Sequence, residues 1–198
     1  MTDDEYLRAV RDEAHRRYTA PPFVHATWYW RYHILIVERI AMELLDLHPD
    51  ADTRSVMLLV WLHDIGKTTG VADTRAETKI LAADIIERHG LGSEYSRRFV
   101  AVVAVLDAKE NLPQSRLEVQ IASSADGCSH LVGPFLSIYW QENHREPVED
   151  LLAENRRKIE VAWEKKIVLP EARRAFFSRY QRALESAGAL PLRLLGGD

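Results

Sequence analysis

At 198 residues, with 46% hydrophobic and 28% charged residues, the chain can bury one core and has the make-up of an ordinary globular domain. A net charge of −4 argues against a non-specific nucleic-acid binder, and a single cysteine, Cys128, excludes an intramolecular disulfide and suits a reducing cytoplasm. The acidic start Met1-Thr2-Asp3-Asp4-Glu5 leads into no apolar stretch, so no signal peptide is expected, and no apolar run reaches the ~20 residues of a membrane span.

The chain reads as helix after helix, an all-α protein. Residues 3–18 are polar and short of apolar anchors, which predicts a surface helix ended by Pro21-Pro22. From Phe23 to Leu47 apolar residues recur at helical spacing, with Tyr29, Trp30, His33, Ile36, Val37, Ile40 and Leu44 on one face. Asp52-Thr53 caps a helix that is expected to run to Ile65 and stop at Gly66. Asp73-Thr74 caps the next, with Ile80, Leu81, Ile85 and Ile86 inward, ending at His89-Gly90. Ser93 starts a fifth through Phe99, Val102, Val103 and Leu106, and Pro113 separates it from a sixth over residues 114–131. Gly133-Pro134 breaks that one, and residues 135–143, 148–166 and 171–187 are again helical. Only the last few residues have a disordered composition. His25, His48 and His144 read as surface residues, His89 as a helix-end histidine, and the tryptophans as packing residues. The runs Arg156-Arg157-Lys158 and Glu164-Lys165-Lys166 read as solvated helix faces.

The chemistry concentrates in Leu62-His63-Asp64-Ile65-Gly66-Lys67. An imidazole and a carboxylate side by side suit a divalent cation that must stay Lewis-acidic. His33 upstream and Asp126 downstream complete an ordered H…HD…D series. Helical phase turns His33 inward with Ile36, Val37 and Ile40, and places His63 on a face with Val56, Leu59 and Val60. Adjacent helix positions diverge by about 100°, so His63 and Asp64 can share one ion only where Gly66 loosens the last turn. An inward Asp126 is costly unless paired or metal-bound. Taken singly, His33 also reads as a core histidine, Asp64 as a helix-end cap, and Asp126 as a partner of His130 one turn later.

With this series the chain resembles the HD-domain superfamily of metal-dependent phosphohydrolases, over about residues 23–131. His33 followed four residues later by Val37, the LHDIGK-like segment and the run Leu117-Glu118, Ile121 into Ala125-Asp126 carry the resemblance. It implies metal ligands at His33, His63, Asp64 and Asp126. The family's Asp-Ala-Asp reads Ser124-Ala125-Asp126 here, so only the second Asp carries over. The expected organisation is a single HD-type helical domain over residues 1–198, its metal-site core at about 23–131 and helices of residues 134–187 packing on it. Members of the superfamily with two metals carry further histidines between the HD pair and the last Asp. Here His89 alone falls in residues 65–125, which implies one divalent ion (Mn, Mg, Co, Fe, Ni or Zn). Asp107 is the residue that can revive a second ion, because a carboxylate replaces an imidazole for Mg²⁺ or Mn²⁺.

The function so implied is cleavage of a phosphate ester or anhydride of a nucleotide-like small molecule by water that the metal activates. Asp64 and Lys67 are the candidate catalytic residues, with Lys67 facing the phosphoryl oxygens; its plainer reading is a helix-end cation. Arg31, Glu77, Asp107 and His130 are candidate substrate or auxiliary groups. The expected partner is a small phosphate-bearing molecule, with neither nucleic acid nor membrane, and a homodimer is compatible with the pattern. Two alternatives stand beside this reading. A mononuclear-metal hydratase or lyase would need a narrow apolar pocket near Trp28-Tyr29-Trp30, and a non-catalytic ligand-sensing module would need a partner domain.

Overall fold

The computed structural model describes residues 2–21 and 23–188; the Pro22 break and the composition of the last ten residues lie outside them. Among the described residues the protein is all-α with no strand. Its helices are α1 (Asp3–Thr19), α2 (Leu35–Leu47), α3 (Thr53–Leu62), α4 (Thr74–Arg88), α5 (Gly92–Ala108), α6 (Leu117–Ser129), α7 (Phe135–Glu142), α8 (Val148–Val161) and α9 (Pro170–Ser186). Short π turns at Trp30–Ile34 and Ala162–Lys166 precede α2 and follow α8, and 3-10 turns fill Ile65–Thr69 and Leu112–Gln114.

The caps fall where the sequence puts them. Asp52 accepts the Ser55 amide and Asp73 the Ala76 amide, each relieving an orphan donor of a first turn. Thr2 and Glu5 form a reciprocal capping box on α1. Three expectations need correction. α3 stops at Leu62, not Ile65, and Gly66 sits inside the following 3-10 turn instead of ending a helix. Gly66 is needed for close approach: a Cβ there would run into the Thr74 carbonyl oxygen and the Thr78 backbone, and the Gly66 amide donates to Thr78 Oγ1 at 3.0 Å. The sixth helix begins at Leu117, not 114, because the Leu112–Gln114 turn intervenes. Ile80 is 63% exposed, and α4 turns Thr78, Ala82, Ile85 and Ile86 inward instead.

One hydrophobic cluster joins the helices from Tyr6 in α1 to Ala172 in α9. α6 is its axis. Every residue from Ile121 to Ser129 is buried, which is the signature of a helix enclosed on all sides. α2 and α3 pack against it on one side, and the Ala162–Lys166 turn and α9 pack on the other. α1 is also part of the core, against expectation. Its anchors are Tyr6, Val10, Ala14 and Tyr18, spaced by four and all buried, with tyrosine and alanine doing what larger aliphatics usually do.

α1 also buries a carboxylate. Glu13 receives Arg88 at 2.7 and 3.2 Å, His89 at 2.8 Å and Arg17 at 3.2 Å, so His89 is an ion-pair partner rather than a bare helix-end residue. Burial alone would raise the Glu13 pKa, but Arg88, His89 and Arg17 outweigh it and lower it from 4.5 to about 2. A depressed carboxylate contributes stability that is present above its unfolded pKa and lost as pH falls through the folded one. Glu13→Gln should therefore lower the melting temperature at neutral pH, and the gap to the unaltered protein should narrow as pH falls from 4.5 toward 2. Thermal melts across that range check it, and equal melting temperatures at pH 7 would remove the ion-pair account.

Candidate metal centre

The four H…HD…D residues meet at one point. Nε2 of His33 lies 3.6 Å from Asp126 Oδ1 and 3.9 Å from Asp64 Oδ2. Nε2 of His63 lies 3.5 Å from Asp64 Oδ2 and 3.9 Å from Asp126 Oδ1. Ligands bonded at about 2.1 Å to one tetrahedral ion stand roughly 3.4 Å apart, so these separations suit a shared divalent cation. His33 Nε2, His63 Nε2 and Asp126 Oδ1 are buried and have no hydrogen-bond partner among the described residues. Leaving a buried polar atom unsatisfied costs about 1–3 kcal/mol, and three such atoms facing one another are the donor set a metal ion satisfies.

Outer contacts fix the donor atoms. Ser129 Oγ gives its hydrogen to the Asp126 carbonyl at 2.7 Å, so the His33 Nδ1–H donates to Ser129 Oγ at 3.0 Å and the Nε2 lone pair faces inward. His63 Nδ1–H donates to the Val60 carbonyl at 3.0 Å with the same result. Burial lowers the His33 pKa to about 3, only partly offset by Asp126, so the ring is neutral and free to ligate. Both carboxylates stay ionised although burial opposes it. Lys67, then His63, outweigh burial at Asp64; Lys166, then His130 and His63, do so at Asp126.

Local backbone delivers these atoms. The π turn at Trp30–Ile34 inserts an extra residue before α2, which buries Ile34 and leaves Ile36 and Ile40 only half-buried while keeping His33 inward. His63 and Asp64 lie just past the end of α3, where Asp64 leaves helical geometry (φ −119°, ψ 12°) and its side chain can join that of His63. Tyr29, one turn before His33, donates its hydroxyl to Asp64 Oδ2. Lys67 Nζ holds the same oxygen at 2.6 Å and the Tyr29 hydroxyl at 3.1 Å.

Asp126 is held from the far end of the chain. Lys166 Nζ bonds Asp126 Oδ2 at 2.6 Å, and both side chains are nearly buried. A Cβ on Gly127 would lie 2.8 Å from Lys166 Cβ and 2.7 Å from Ile167, so only glycine admits this strand of backbone. Ser123 Oγ donates to the Lys166 carbonyl, and Ser124 Oγ accepts from the amides of Val168 and Leu169. Ser124 therefore anchors the connection between α8 and α9.

His63, Asp64 and Asp126 line a cavity of about 550 Å³. Lys67, Asp107 and His130 line it, as expected of candidate site residues. His130 Nε2 is 3.5 Å from Asp126 Oδ1 and its ring stacks on Phe135 at 4.4 Å. Asp107 has a buried, unpartnered Oδ2, and burial, then the charge of Asp64, raises its pKa. Arg31 and Glu77 do not line the cavity. Arg31 is exposed and lies over the Tyr32 ring at 5.4 Å, because it sits on the opposite face of the turn from His33. Glu77 is half-buried on α4, away from the opening.

Several lining residues escaped the sequence reading. Lys158 and Lys166 are not on solvated faces: both line the cavity, and Lys158 lies over the Tyr139 ring at 3.9 Å. His25 is no bare surface residue either, since it pairs with Glu142 at 2.9 Å and lines the cavity beside Trp28; His48 pairs with Glu171 far from it. An isolated glycine beside Asp126 was the available signal for Lys166, because a lone glycine in a helical pattern marks a close backbone approach. No family model matches the chain, and no curated protein or solved structure matches it.

Among the described residues, His33, His63 and Asp64 form one group able to hold a metal ion, and His33, Asp126 and His130 form another. After loading with Mn²⁺ and desalting, the unaltered protein should keep the ion, whereas His63→Ala and Asp64→Ala should lose it by elemental analysis. Ser129→Ala, which releases the His33 tautomer, should weaken binding by about 10- to 100-fold. Full retention in His63→Ala or Asp64→Ala would break the ligand assignment.

Proposed function

We propose that the protein is a metal-dependent phosphohydrolase of the HD type, cleaving a phosphate ester or anhydride of a nucleotide-like small molecule. One observation carries the reading: the His/Asp cluster shares its cavity with five cationic side chains, Lys67, Arg75, Lys109, Lys158 and Lys166. Cations gathered around donor atoms of this kind suit a phosphoryl group, whose equatorial oxygens need positive partners in the transition state. A hydratase or lyase acting on a small neutral molecule would gain nothing from them. Trp28, Phe135 and Tyr139 on the same cavity offer an aromatic wall to a planar base.

A divalent ion held here would supply Lewis acidity for water activation and for a phosphoryl oxygen. The chain's own residues set the geometry. His33, His63, Asp64 and Asp126 hold the ion, and Tyr29, Lys67, Ser129 and Lys166 orient those four. Lys67 also fronts the cavity and is the best-placed cation for charge that develops on phosphorus oxygens. Asp107 stands outside both ligand groups, which supports one ion per chain. Titration of the apo-protein with Mn²⁺ or Co²⁺ should saturate at one tight site; a second site abolished by Asp107→Asn would show that a carboxylate had replaced the missing imidazoles.

Purified protein with added divalent metals, screened against nucleotides and generic phosphoesters, tests the activity. Turnover that disappears in His63→Ala supports the reading, and no turnover of any phosphate compound overturns it. A protonated ammonium cannot ligate a cation, so Lys67→Ala should retain the ion and the fold. Its kcat should drop by roughly 10²-fold or more, the scale for a lost transition-state donor. Unchanged kcat on the best phosphate substrate would reduce Lys67 to a residue that merely steadies Asp64.

A further inference from the structure

The five cavity cations are not equivalent. Lys67 is engaged by Asp64, Lys166 by Asp126 and Lys158 by Glu154. Arg75 in the first turn of α4 and Lys109 at the end of α5 line the same cavity, and among the described residues neither has an ion-pair or hydrogen-bonding side-chain partner. Lys109 is half-buried, and burial, then the charges of Lys166 and Arg75, lower its pKa while Asp126 and Asp64 oppose the shift. Three cations from three separate elements thus line one cavity. Asp107 lines the same cavity, and burial, then the charge of Asp64, raises its pKa.

The backbone at Lys109 adds an independent sign. Its φ of 55° and ψ of 27° are left-handed, a conformation that glycine usually supplies at a helix C-terminus. Asn111, two residues on, is left-handed as well. Side chains held in this region cost free energy and gather where function requires a particular direction. An ordinary helix-end cation would lie over the last carbonyls in water; the Lys109 side chain lines the cavity instead.

We infer that Arg75, Lys109 and Lys166 form a second anion subsite beside the phosphoryl position. The substrate would then carry a further phosphate adjoining the one attacked, as in a nucleoside di- or triphosphate, rather than a lone monoester. Lys166 bridges the two positions, since its ammonium holds the candidate ligand Asp126 while it lines the same cavity as Lys109. The inference rests on the phosphohydrolase reading for its account of the substrate, but the subsite can be measured without turnover.

Calorimetric titration with inorganic phosphate and with pyrophosphate, with Mg²⁺ in excess of the anion, provides the test. The unaltered protein should bind pyrophosphate at least about tenfold more tightly than phosphate, as expected for added charge-assisted hydrogen bonds. Arg75→Ala and Lys109→Met should each lose most of that preference while still binding phosphate. Arg75 is exposed in a first helical turn, so its variant also answers for any folding defect in Lys109→Met. Equal affinity for the two anions, or a preference that survives in both variants, would overturn the subsite. A preference lost in both variants, in a protein that hydrolyses no phosphate compound, would uphold the subsite and defeat the hydrolase reading. Hydrolysis of monoesters by a protein with no such preference would do the reverse.

Discussion

Two imidazoles and two carboxylates share one buried volume; the inner atoms of His33, His63 and Asp126 have no hydrogen-bond partner among the described residues, and Tyr29 and Lys67 hold the inner oxygen of Asp64. On the outer side of the imidazoles Ser129 and the Val60 carbonyl take the Nδ1 protons of His33 and His63, while Lys67 and Lys166 neutralise Asp64 and Asp126. On the inner side His33 Nε2, His63 Nε2 and Asp126 Oδ1 are orphaned. A core with no use for a cation would protonate or pair these groups, because uncompensated buried polar atoms and charges are expensive. Instead burial keeps His33 neutral and the lysines keep the carboxylates charged, the two protonation states that ligation requires.

That arrangement sets what the rest of the chain must do. α6 has to run through the centre, so it carries Ala, Ser, Gly and Cys where larger side chains would hold its neighbours away. Gly127 lets the Ala162–Lys166 turn close over Asp126, and Ser123 and Ser124 satisfy the backbone of the segment that follows. Gly66 lets the turn carrying Lys67 settle against α4. Beneath Asp64, Tyr18 of α1 stacks on Tyr29 at 5.4 Å, so the helix that looked peripheral supports the hydroxyl that orients a candidate ligand.

The sequence was legible where local chemistry decides structure. Asp52 and Asp73 act as caps through short-range hydrogen bonds, and His33, His63, Asp64 and Asp126 stand out by residue type and by the phase of their helices. It was illegible where long-range packing decides. The extent of α3 was overread because periodicity cannot register a 3-10 turn shaped by contact with Thr74 and Thr78. Ile80 looked inward by composition, yet the face of α4 is chosen by α5 and the Ile65–Thr69 turn. Lys166 stands forty positions from Asp126, and a lysine among Glu164 and Lys165 carries no local mark of burial; only the neighbouring glycine hinted at it. Arg31 was misplaced for the opposite reason, since proximity in sequence to His33 says little about direction on a helix.

The division of labour between the two halves of the chain bears on what can vary independently. The four donor atoms come from residues 33–126, in segments tied together by the buried core. Much of the cavity wall comes from α7, α8 and the turn after it, through Phe135, Tyr139, Asn143, Lys158 and Lys166. α7 has no fully buried residue, but Phe135, Leu136 and Ile138 pack against the core and Glu142 accepts from the Trp28 indole. Lys166 belongs to both halves: its backbone is clasped by Ser123 and its ammonium by Asp126. Lys166 thus ties the C-terminal helices to a candidate ligand directly, as does Phe135, whose ring lies 5.5 Å from that of His33. Lys67 couples wall and donors in the same way, since it lines the cavity while its ammonium holds Asp64.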